Sequence, residues 1–123
     1  MAAERPPVWI GHVTLAVTDL ERAAAFWSGL GLRPVERNPH VAVLELRGGT
    51  HLVLLPADER PSDDSAVPFD LMVEDLDAVH AQWRARDLAV SEIVRGHIHD
   101  SFTVTDPDGW VVMVNSTHVV GTV

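Results

Sequence analysis

Along residues 8–17 apolar and polar positions alternate, with His12, Thr14 and Ala16 on one side and Val13, Leu15 and Val17 on the other, which predicts a strand. At Leu20 the period changes. Leu20, Ala23, Ala24 and Trp27 fall at helical spacing and form one apolar stripe. Thr18-Asp19-Leu20-Glu21 reads as a capping box in which Thr18 accepts from the Glu21 amide. Gly29 and Gly31 offer the left-handed positions that end such a helix. A short strand over 33–37 follows, Asn38-Pro39 turns the chain, and 40–47 pairs with 50–55 as a hairpin about Gly48-Gly49. Residues 56–68 form a polar, proline-punctuated linker. The same order then returns. A strand over 69–73 precedes a helix with Leu76, Val79 and Trp83 as its stripe. Strands over 89–94 and 98–105 flank a turn at Gly96. Asp106-Pro107-Asp108-Gly109 is a β-turn leading to a strand over 110–115, and 117–123 is a tail.

The return is a repeat at an offset of 56 residues. It holds for Leu15 and Leu71, Val17 and Val73, Asp19 and Asp75, Trp27 and Trp83, and Leu32 and Leu88. Two copies are too few for a solenoid, which needs at least three. They predict one α+β domain of two tandem β-α-β-β-β modules, about 8–55 and 69–116, forming a cupped mixed sheet with helices on the outer face. Alternation sends Phe102 and Val104 toward the helix. It sends His12, Thr14, Asp70, Met72, His99, Ser101, Thr103, Val111, Met113 and Asn115 into the cup. Clefts between halves are where small ligands bind. Trp27 and Trp83 read as core, while Trp9 and Trp110 sit at strand ends where aromatics can rim a groove.

Composition narrows the function classes. The net charge of −9 argues against a nucleic-acid partner; it fits ordinary solubility, or attraction of a cationic small molecule. There is no cysteine, no apolar run of the ~18 residues a membrane span needs, and no basic-then-apolar start. The expected setting is the cytoplasm, with no membrane partner. No serine is marked by a nucleophile elbow, and no glycine-rich loop suits a phosphate.

Gly11-His12-Val13, Val17-Thr18-Asp19-Leu20, Phe26-Trp27, Leu30-Gly31-Leu32 and Asp106-Pro107-Asp108-Gly109, spread over residues 8–116, resemble the vicinal-oxygen-chelate superfamily. That superfamily includes glyoxalase I, bleomycin-resistance proteins, extradiol dioxygenases, fosfomycin-resistance enzymes and methylmalonyl-CoA epimerase. The resemblance implies a homodimer, and a divalent metal held in the cup by first and last strands of each module. Carried over by position, those ligands fall on His12, Val53 (or Leu54), Pro68 and Met113, of which only His12 is a useful donor. A dication needs three or more nitrogen or oxygen donors, so the family's metal reaction does not transfer.

Two ligand-based readings follow, beside a third in which the cup is empty and the chain is an interaction or regulatory module. In the first, the cup binds a small organic ligand without metal, as in antibiotic sequestration. The polar contacts are then His12, Thr14, Asp70, His99, Ser101, Thr103 and Asn115, and the adaptable apolar ones Met72, Val111 and Met113. In the second, the chain is a lyase, isomerase or dioxygenase. Iron, zinc, manganese or nickel would sit on the non-standard set His12, Asp70 and His99, or His12 or Asp70 would do metal-free acid–base chemistry. His51, His97 and His118 read as surface residues, His40 and His80 have no polar company that marks a site, and Glu45 with Arg47 reads as a cross-strand surface pair.

Overall fold

In the computed structural model, which describes residues 4–119, the first alternating stretch forms β1 (His12–Val17). The strand is shorter than expected because residues 8–11 lack a ladder partner. They are tethered instead: the Gly11 carbonyl accepts from the His51 amide at 2.8 Å, and the Ile10 carbonyl accepts from Thr50 Oγ1 at 2.6 Å. Next come α1 (Leu20–Leu30), β2 (Arg33–Asn38), β3 (Val41–Glu45), a 3₁₀ turn (Arg47–Gly49) and β4 (His51–Pro56). The sheet order is β1-β4-β3-β2, with β1 parallel to β4 and the other pairs antiparallel. Leu15, Val17, Ala42, Leu44, Leu52 and Leu54 are buried on one face, as are Ala23, Ala24 and Trp27 of α1.

The cap of α1 differs from the expected capping box. Asp19, not Thr18, is the N-cap, and its carboxylate accepts from the Arg22 amide at 3.0 Å. A carboxylate is the stronger acceptor and also suits the positive end of the helix dipole. Asp75 does the same for the second helix, accepting from the Ala78 amide at 3.0 Å. Gly29 lies inside α1; Gly31 alone ends it, at φ 121°.

The second half comprises β5 (Ala66–Val73), α2 (Leu76–Ala85), β6 (Ala89–Val90), β7 (Ser101–Thr105) and β8 (Val111–Ser116). Its order, β5-β8-β7-β6 with β5 parallel to β8, repeats the first sheet. The protein is therefore α+β, built of two tandem β-α-β-β-β modules. Contacts divide the described residues into two units, 4–60 with Val119 and Pro61–His118. Residues 1–3, and 120–123 of the expected tail, lie outside the described residues. None of the described helices is long and apolar enough to cross a membrane.

Three departures have local causes. β5 starts at Ala66, inside the expected linker, and its ladder to β8 shifts register between Ala66 and Asp70. Pro68 lies in that shift, where a residue with no N–H is tolerated. β6 stops at Val90 because the Ser91 side chain takes over ladder duty, its Oγ accepting from the Thr103 amide at 2.8 Å. The chain then loops through Gly96, where a Cβ would stand 2.5 Å from the His99 carbonyl oxygen, and touches β7 again only at Val94. Arg95 fastens this loop by pairing with both carboxylate oxygens of Asp77 (2.6 and 3.1 Å) and with Asp100 (2.9 Å). The guanidinium holds the Asp77 carboxyl below the usual carboxylate range.

Val79 was expected in the apolar stripe of α2, but His80 is buried there in its place. Its Nε2 bonds the Ser91 carbonyl at 2.8 Å, and its ring meets Phe102 edge-on at 4.8 Å. The imidazole thus fills an apolar site while its polar nitrogen is satisfied.

Candidate functional site: the open faces of the two sheets

Each sheet turns one face to its helix and leaves the other uncovered by it, and strand pairing sets which side chains stand side by side there. In the second unit Asp70 is opposite Met113, which is opposite Thr103. Met72 is likewise opposite Asn115, which is opposite Ser101, and Val111 is opposite Thr105. Phe102, Val104, Val112 and Val114 are buried on the other side, as alternation required. Asn115 Nδ2 donates to Asp70 Oδ2 at 2.7 Å, linking the two rows. Met72 and Met113 are each 43% exposed, so two flexible thioethers flank a fixed carboxylate–amide pair.

His99 precedes β7 and departs from its row. Its Nδ1 bonds the Ser116 carbonyl at 2.8 Å, and its ring stands 4.7 Å from that of His118.

The first unit's face holds a polar row that crosses all four strands. His12 is opposite His51, His51 opposite Glu45, and Glu45 opposite Arg33. His51 Nε2 bonds Glu45 Oε1 at 2.9 Å, and Arg33 pairs with the other oxygen of Glu45. The rings of His12 and His51 are 5.7 Å apart. Thr14 is opposite Val53, and Val53 opposite Val43. A recess of about 280 Å³ lined by Gly31, Arg33, Glu45 and Arg47 opens at the arginine end of the row.

Arg47 lies in the 3₁₀ turn. The row corrects one expectation: His51 is half-buried and bonded to Glu45 rather than free at the surface. A signal for it was present. A hairpin centred on Gly48 sets residues three before and three after it opposite one another, namely Glu45 and His51.

The family's ligand positions translate plainly. Thr14 with Val53 and Asp70 with Met113 are matching rungs of the two sheets, and His12 is opposite His51. Among the described residues no group of three or more histidine, aspartate or glutamate side chains is disposed to hold a metal ion. Trp9 is exposed beside Gly49, and Trp110 is partly buried at the turn before β8.

Comparison with solved structures shows the same fold. A lactoylglutathione lyase from Agrobacterium tumefaciens superposes with a TM-score of 0.73 at 22% identity, covering 91% of this chain and 96% of that one. A bleomycin resistance determinant encoded on the transposon Tn5 gives 0.73 at 18% identity, over 91% and 100%. TnmS3, an antibiotic-binding protein from Streptomyces sp. CB03234, gives 0.71 at 22%, over 92% and 98%. No match was found among curated proteins. The family model for the glyoxalase/bleomycin resistance protein/dioxygenase superfamily matches residues 9–114, and with the paired modules already in view, the chain belongs to that superfamily.

Proposed function

We propose that the protein binds a small organic molecule on its open sheet faces, without a metal ion, as an antibiotic-sequestering protein does. The observation that carries this reading is the Asp70–Asn115 pair set between exposed Met72 and Met113. A carboxylate fixed by a neighbouring amide selects a cationic or donor-bearing group. The thioethers meet flat or irregular apolar surface without demanding one shape. The net charge of −9 draws cations toward the protein. At the four positions where the family holds its ion, only His12 carries a strong donor, which is why the proposal includes no metal. The reading also takes the protein to be a cytoplasmic homodimer, in keeping with its lack of cysteine.

Thermal shift and calorimetry against metal-free bleomycin and a panel of cationic aromatic drugs test the proposal. A true ligand at 100 times its Kd adds about 2.7 kcal/mol of stability. Asp70→Ala should weaken that ligand by about tenfold or more, the loss expected for a hydrogen bond to a charged group. No shift across the panel, or equal affinity in Asp70→Ala, would overturn the reading.

The Glu45–His51 pair favours a second reading, metal-free acid–base catalysis. A carboxylate bonded to one imidazole nitrogen orients the ring and leaves the other nitrogen to exchange a proton. The measurement is deuterium uptake by carbon acids incubated with chelator-treated protein in D₂O. Exchange should slow by about a hundredfold in Glu45→Gln. Exchange no faster than in buffer would remove this reading and leave the first untouched.

A further inference from the structure

At the end of the second sheet, His99 and His118 meet ring to ring, and backbone bonds fix the chain beside each. Next to His99, the Asp100 amide donates to Ser116 Oγ at 3.0 Å and the Ser116 amide to the Asp100 carbonyl at 2.9 Å. Next to His118, the Thr117 amide donates to the Val73 carbonyl at 3.0 Å. The Asp100 carboxylate is already engaged by Arg95 at 2.9 Å.

We propose that His99 and His118 form a two-histidine site for a divalent ion of the zinc, nickel or copper class. Three observations support it. First, the bond from His99 Nδ1 to a carbonyl, which can only accept, places the ring proton on Nδ1 and leaves the Nε2 lone pair for a metal. A carbonyl behind a ligating imidazole is a common outer partner in metal sites, where it orients the ring and raises its basicity. Second, the spacing fits. An ion about 2.0–2.1 Å from one nitrogen of each ring sets the ring centroids about 4.5–5.2 Å apart for angles from square to tetrahedral. The observed separation is 4.7 Å, with the ring planes inclined at 51°. Third, His118 is exposed, so an ion and its remaining ligands can enter. Imidazole without thiolate favours zinc, nickel and copper over magnesium or calcium. With two protein donors the other positions stay open to water or a small chelating ligand, as in sites that exchange their ligands.

Neither histidine falls on the four positions at which the superfamily holds its ion. The test of this site needs no organic ligand, so it stands or falls apart from the proposed function. Tag-free protein stripped with chelator is titrated with zinc sulfate and, separately, nickel chloride by isothermal calorimetry. The expected result is saturable binding of one ion per chain. Affinity should fall at least about tenfold in His99→Ala and in His118→Ala, and stay unchanged in the double variant His12→Ala/His51→Ala. Circular dichroism and thermal melting verify the fold of each variant. Should His99→Ala fail to fold, His118→Ala decides, because no hydrogen bond described above involves its side chain. Absence of saturable binding, binding retained in His118→Ala, or binding lost only in the His12/His51 variant would overturn the proposal.

Discussion

Trp27→Ala is expected to lower the unfolding free energy by about 3–5 kcal/mol, a large share of the 5–15 kcal/mol that holds a typical domain together. The indole is fully buried against a sheet face whose Leu44, Leu52, Leu54 and Val17 are also almost wholly buried. Phe26 meets its edge at 5.7 Å. Neighbours this tightly packed cannot collapse into the space left by the indole, so a cavity cost adds to the lost transfer energy. Trp27→Phe keeps part of the volume and should cost clearly less. Urea unfolding followed by far-ultraviolet circular dichroism measures both. A midpoint in Trp27→Ala equal to that of the wild type would show that α1 does not anchor the first core.

The importance of Trp27 was legible in the sequence because the repeat pairs it with Trp83, and a helix position kept large and apolar in both copies serves a core. Strand alternation was equally readable. Phe102, Val104, Val112 and Val114 are buried while Thr103, Met113 and Asn115 take the other face, since a regular strand leaves its side chains no other choice. Reading failed where side chains replace backbone. The Ser91 hydroxyl bonds the Thr103 amide and cuts short a strand that composition alone would continue. His99 left its expected row for the same kind of reason, because the backbone carbonyl of Ser116 at the end of β8 captured its ring.

The candidate site was legible by face but not by neighbour. Alternation placed His12 on the open face; it could not pair His12 with His51, because that depends on the register of two parallel strands 39 residues apart. Similarly, the link between Asp70 and Asn115 runs diagonally between rows, and only the β5–β8 register reveals it. Chemistry that needs two groups at contact distance is therefore the last thing a single chain discloses.

Asp106→Ala is expected to destabilise the protein by about 1–3 kcal/mol for the buried Asp108 amide that it strips of an acceptor, and by less for the part-buried Trp110 amide. Asp106 Oδ1 accepts from the Asp108 amide at 2.9 Å and from the Trp110 amide at 2.8 Å. The turn is also closed by the Gly109 amide bonding the Asp106 carbonyl at 3.0 Å, with Gly109 at φ 99°. The second carboxylate oxygen is buried without a hydrogen-bond partner. Burial accordingly raises the carboxyl above its ordinary value of 3.8, against the opposing pull of the Trp110 and Asp108 amides. Above 3.8 the unfolded chain has released this proton while the folded one still holds it. The residue's contribution is thus fullest at acid pH and is lost as pH rises through the folded value. Asp106→Asn keeps an acceptor for both amides and removes the titration. Measured by urea midpoints between about pH 4 and about pH 7, the wild type should lose ground to Asp106→Asn as pH rises, then run parallel to it. A gap that widens in the wild type's favour with rising pH would mean that the ionised carboxylate, not its shape and its two bonds, sustains the turn.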